Sequence, residues 1–145
     1  MALKRLDNVA IVVADLDAAV AFFTELGMEL EGRASIEGHE AARLVGFDDL
    51  RSDIAMMRMP GGQGRIELTA YHVPAAVATS PGILPPNTLG LHRVMFEVDD
   101  IDGMVARLRV RGAEIIGEMH YEDSYRLYYL RGPEGIILAL AEAQG

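Results

Sequence analysis

The stretch VADLDAAVAFFTELGMEL, residues 13–30, recurs as VDDIDGMVARLRVRGAEI at residues 98–115, an offset of 85 residues. Seven of the eighteen aligned pairs are identical: Val13/Val98, Asp15/Asp100, Asp17/Asp102, Val20/Val105, Ala21/Ala106, Gly27/Gly112 and Glu29/Glu114. A period this long exceeds the roughly 20 to 50 residues of solenoid repeats, so the chain reads as two copies of a half-domain. In the first copy Leu16, Ala19, Val20 and Phe23 follow the i, i+3, i+4, i+7 spacing of an amphipathic helix, and Ile101, Met104, Val105 and Leu108 fall at the same places in the second. Asp15 and Asp100 stand where a carboxylate can accept the first free helical N–H groups. Asp17 and Asp102 suit the positive end of the helix dipole, and Gly27 and Gly112 suit a left-handed C-terminal turn.

Working outward, each helix is preceded by a strand-like run and followed by three more. These lie around residues 28–34, 52–59 and 65–71 in the first copy, and 114–121, 124–131 and 135–141 in the second. Each copy therefore reads β-α-β-β-β. Gly61-Gly62-Gln63-Gly64 and Gly132-Pro133-Glu134-Gly135 mark turns between neighbouring strands. The apolar stretch from Ala41 to Phe47 suggests a helical turn within the connection 37–50. Module one spans 1–72, a linker 73–90 holds four of the six prolines, and module two spans 91–145. At 145 residues the whole is expected to be a single domain.

Composition narrows the function. No cysteine is present, which removes disulfides, thiol catalysis, iron–sulfur clusters and Cys-type zinc sites. A net charge of −9 opposes binding to a phosphate backbone, so no nucleic-acid partner is expected. No apolar run approaches the roughly 18 residues of a membrane span and MALKRLDN lacks the apolar stretch of a signal peptide, so no membrane partner and a cytoplasmic location are expected.

LDNVAIVVADLDAAVAFF, GRIELTAY, FEVDDIDGMVARL and YLRGPEGIILAL, duplicated and in this order, resemble the vicinal oxygen chelate superfamily across essentially the whole chain. That superfamily includes glyoxalase I, bleomycin-resistance proteins, methylmalonyl-CoA epimerase and extradiol dioxygenases. The resemblance implies an α+β fold of two tandem βαβββ modules forming a curled mixed sheet, with a ligand cleft and the helices outside. The residues agree with such a sheet: Val9, Ile11 and Val13 match Val94, Phe96 and Val98 and suit a helix-covered face. Asn8, Ala10 and Val12, with Arg93, Met95 and Glu97, then occupy the other face.

Metal-dependent members place four ligands on that face, and by motif position these fall on Asn8, Glu67, Arg93 and Ala139. Such a set implies no metal cofactor. Asn is a weak carbonyl ligand, Ala139 has no donor, and a guanidinium repels a divalent cation. His92 lies next to Arg93, but one step along a strand turns a side chain to the other face. Only a bulge would bring His92, His72 or His120 to a metal. Arg93 and Glu67 read as a substitute for the metal centre, a cation that polarises a substrate oxygen beside a carboxylate that takes a proton. A plainer reading makes them an ion pair that ties the modules.

Asn8, Tyr71, Arg93, Met95 and Tyr125 are the expected ligand-binding residues and Glu67 the candidate catalytic one. Among Tyr121, Tyr125, Tyr128 and Tyr129, at least one is expected to offer stacking surface. The expected partner is a small apolar or aromatic, partly anionic molecule, held by a glyoxalase/bleomycin-resistance-like protein that forms a homodimer. The enzymatic alternative is a lyase or isomerase acting next to a carbonyl, with Glu67 as base and Arg93 as oxyanion stabiliser. It would be a metal-dependent glyoxalase or dioxygenase only if a histidine rescued the metal site.

Overall fold

The computed structural model describes residues 2–80, 82–121 and 123–144, apart from the side chain of Tyr121. They form two compact units, Met1–Val77 and Ala78–Gly145, divided within the proline-rich 73–90 stretch. The first unit runs β1 (Val9–Val12), α1 (Leu16–Leu26), β2 (Glu29–Glu37), α2 (His39–Leu44), β3 (Arg51–Arg58) and β4 (Arg65–Val73). The second runs β5 (Val94–Glu97), α3 (Ile101–Val110), β6 (Glu114–Tyr121), β7 (Tyr125–Arg131), a 3-10 turn at Pro133–Gly135, and β8 (Ile137–Ala143). Each unit is a βαβββ module with its own four-stranded mixed sheet, ordered β1-β4-β3-β2 and β5-β8-β7-β6. The helical turn expected at Ala41–Phe47 is α2, which starts two residues earlier.

Both long helices begin and end as their sequences require. The Asp15 carboxylate accepts from the Ala18 N–H at 3.0 Å and the Asp100 carboxylate from the Gly103 N–H at 3.3 Å. At the end of α1, Gly27 turns left-handed at φ 117° and donates to Thr24 O, while Met28 donates to Phe23 O. Gly112, at φ 98°, does the same after α3. Position 103 is glycine for a local reason: a Cβ there would run into the Asp100 carboxylate, whereas Ala18 fits in the first copy. The repeat also extends into the strands. A bulge interrupts β2 between Leu30 and Gly32 and β6 between Ile115 and Gly117, the same places 85 residues apart.

Register sorts each sheet into two faces. In the first unit Ile11, Ala55, Met57, Ile66 and Leu68 are buried together with Phe22, Phe23 and Leu26 of α1. In the second, Leu130, Leu138 and Leu140 are fully buried, as are Ile101 and Leu108 of α3. Burying one such side chain contributes roughly 1.5–3 kcal/mol, so these apolar layers dominate each module's stability. Among the described residues no helix is long and apolar enough to cross a membrane.

One ion pair fastens α3 to its sheet. Arg126 of β7 donates to both oxygens of Asp102, at 2.6 and 2.9 Å. The hydrogen bond from Arg126 holds the Asp102 carboxyl below the ordinary carboxylate range. A depressed folded-state value means that this contribution is complete above the unfolded value of about 4 and is lost as pH falls through the folded one. Asp102→Asn, which cannot titrate, is therefore expected to flatten the loss of stability on acidification below about pH 4, read from urea midpoints. An unchanged acid limb would remove this pair from the account.

Candidate functional site

The sheet faces away from the apolar layers carry the polar groups of interest. In the first unit β1 runs parallel beside β4, placing Ala10 opposite Glu67 and Val12 opposite Thr69. Glu67 and Thr69, two residues apart, share a face, and the Thr69 hydroxyl donates to Glu67 Oε1 at 2.9 Å. Thr69 is buried and Glu67 half-buried, so the carboxylate is held in one orientation from below. Tyr71 continues this face opposite Ser52, with its ring edge-on to Phe47 at 6.3 Å and 87°. The aromatic pair anchors the connection that follows α2. Asn8 lies just before β1 and donates its side-chain amide to Asp7 at 2.8 Å. That hydrogen bond is the main cause of a lowered Asp7 pKa, followed by Arg5 and Arg65.

In the second unit the face comprises Met95 opposite Ala139, Tyr129 opposite Ala139 on the other side, and Leu127 opposite Ala141. Tyr125 lies on it as well, at the start of β7, opposite Ala143. Arg93 precedes β5, and its guanidinium carbon lies 5.7 Å from the centre of the Tyr129 ring, a cation–π arrangement. Arg93 and Met95 are exposed, Tyr129 is half-buried and Ala139 fully buried. Ala139 is thus flanked by Met95 on one side and the Tyr129 ring on the other, with the Arg93 guanidinium against that ring. Arg131, on the same strand, spends its guanidinium on the Gly135 carbonyl at 2.8 Å.

His92 does not follow the alternation expected of it. Its ring centre lies 6.0 Å from that of Tyr129, so His92 and Arg93 both approach the same ring. The physical reason is that regular pairing of β5 starts only at Val94, and strand parity does not bind the two residues before it. Of the other histidines, His72 pairs with Asp53 at 2.8 Å, His39 meets the Asp48 carbonyl at 3.3 Å, and His120 faces Arg126 across β6 and β7.

The tyrosines separate by parity. Tyr128 points to the α3 side of its sheet, where a hydrogen bond with Glu118, then burial, holds its phenol above the usual range. Tyr121's side chain lies outside the described residues. Sequence reasoning grouped Tyr129 with three other tyrosines without singling it out, and it did not select Thr69. Tyr129 was within reach, because it is the cross-strand neighbour of Ala139, a position the motif already marks. Thr69 carries no such mark.

The four ligand positions implied by the resemblance do not suit a divalent metal. The Asn8 amide is engaged with Asp7, Arg93 brings a positive charge, Ala139 brings a methyl, and Glu67 alone is a good donor. Among the described residues no three His, Asp or Glu side chains are gathered so as to hold an ion.

A profile described as the Glyoxalase/Bleomycin resistance protein/Dioxygenase superfamily matches residues 5–140. The chain is 30% identical to the uncharacterized protein YaeR of Escherichia coli K12, over 98% of both chains. It resembles the crystal structure of a glyoxalase family protein from Bacillus cereus, with 51% identity, a TM-score of 0.94, and coverage of 100% of this chain and 99% of that one. A more distant likeness, at 20% identity and a TM-score of 0.61 over 99% of both chains, is to an antibiotic binding protein from Streptomyces sp. CB03234.

Proposed function

The chain belongs to the Glyoxalase/Bleomycin resistance protein/Dioxygenase superfamily, and on that premise we propose that it binds a small apolar or aromatic, partly anionic molecule without a metal. The observation that carries this reading is Arg93 against the Tyr129 ring, on a face that also carries Met95, Leu127, Ala139, Tyr125 and the carboxylate of Glu97. A guanidinium kept beside an aromatic ring and apolar surface is suited to an anionic or carbonyl group attached to an apolar body. The distant fold likeness to an antibiotic binding protein is in keeping with a role in binding. A catalytic role for Glu67 is the weaker reading, because one carboxylate oxygen is already held by Thr69.

Elemental analysis tests the metal-free part. Purified protein is expected to hold no stoichiometric divalent ion after dialysis, and a chelator is expected to leave its thermal midpoint unchanged. Near-equimolar nickel, zinc, iron or manganese, with a chelator-sensitive midpoint, would contradict it and bring a histidine into the site.

We also propose a cytoplasmic homodimer. The outer strands, β1 and β2 of one sheet and β5 and β6 of the other, are edges of the kind that native proteins commonly cover, and a chain without cysteines is compatible with a reducing compartment. Light scattering is expected to give twice the 15.8 kDa chain mass. A single-chain mass across micromolar concentrations would reject the dimer.

A further inference from the structure

His92 is exposed, and its Nδ1 lies 3.1 Å from the Pro86 carbonyl oxygen. A carbonyl oxygen only accepts, so Nδ1 carries the hydrogen. In the neutral imidazole the lone pair then sits on Nε2, which makes no hydrogen bond to the described residues of its unit. The Pro86 contact therefore fixes a tautomer and leaves one hydrogen-bond acceptor next to Arg93. The two side chains, consecutive in sequence, approach one ring: the guanidinium carbon at 5.7 Å and the imidazole at 6.0 Å from the centre of Tyr129.

Arg93 offers only donors, so it satisfies an anionic group but not a hydroxyl hydrogen. We infer that His92 sets the ligand's specificity: Arg93 takes the anionic group while Nε2 of His92 accepts a hydrogen bond from a hydroxyl on the neighbouring carbon, so the ligand class is an apolar or aromatic hydroxy acid. This rests on the reading of Arg93 as an anion anchor. A ligand with the acid alone leaves Nε2 to water, whereas a hydroxy acid meets both groups at once. The Tyr129 ring supplies the face against which the apolar part packs.

The test compares mandelate with phenylacetate, which differ by one hydroxyl, by calorimetry on the full chain. The parent is expected to bind mandelate about tenfold more tightly, the worth of one hydrogen bond. His92→Phe is expected to abolish that preference and keep phenylacetate affinity within about twofold, which also reports that the fold is intact. Arg93→Met is expected to weaken both acids alike. Equal binding of the two acids by the parent, or a mandelate preference that survives His92→Phe, overturns the role of His92 and leaves the anion anchor standing. Failure of both acids to bind the parent, or binding of both that is indifferent to Arg93→Met, overturns the anchor itself, and the hydroxy-acid inference falls with it.

Discussion

Arg93→Met is expected to weaken the binding of phenylacetate by about ten- to a hundredfold while leaving the unfolding midpoint nearly in place. Methionine keeps much of the volume against Tyr129 and removes every donor. What is lost is a charge-assisted hydrogen bond to the ligand, together with a cation–π contact worth only about 0.5–1 kcal/mol at an exposed site. Arg93→Lys keeps the charge without the planar fork and is expected to fall between the two. If Arg93 served instead to neutralise a carboxylate of the protein, the same change would strand that charge and cost several kcal/mol of stability. Calorimetric titration alongside urea unfolding separates the cases. Binding within twofold of the parent would end the assignment of Arg93.

The largest effects on stability are expected from the paired core positions of the repeat. Phe23 and Leu108 stand 85 residues apart, each fully buried on its helix. Phe23→Ala is expected to cost about 3–5 kcal/mol and Leu108→Ala about 2–5 kcal/mol, through lost transfer energy and the cavity left behind. Against a total stability on the order of 5–15 kcal/mol, either change consumes a large share. Leu44→Ala, on α2 and 87% exposed, is expected to change stability by no more than about 0.5 kcal/mol. Denaturant unfolding followed by circular dichroism checks all three. A loss below about 1 kcal/mol at Phe23 would contradict its place in the core.

How legible these features were in the sequence depended on how locally each is determined. The limits of α1 and α3 were readable because a capping aspartate and a left-handed glycine act within a few residues of the helix they bound. The helix-covered faces of β1 and β5 were readable because alternation is strict where one side is buried, as Ile11 and Val13 show. The candidate site was less so. Choosing Tyr129 over Tyr125 requires knowing which residue of β7 lies beside Ala139 on β8, a register between strands that alternation along β7 alone does not give, since the two tyrosines share one parity. His92 escaped parity because it precedes the first paired residue of β5, and what places it is Pro86, six residues away in a proline-rich connection with no periodic signal. Asn8 was legible as a position but not as a contact, since its amide turns to Asp7 within a network that includes Arg5 and Arg65.

The central claim, that an anionic ligand sits on the second unit's open face against Arg93 and Tyr129, is tested most directly by following backbone amides in a 1H–15N spectrum titrated with phenylacetate. The expected result is a saturating shift with one dissociation constant, concentrated at residues 92–95, 127–131 and 139, and displaced in Arg93→Met to about ten- to a hundredfold higher phenylacetate concentration. Shifts that saturate at another surface and leave those residues unmoved would contradict it.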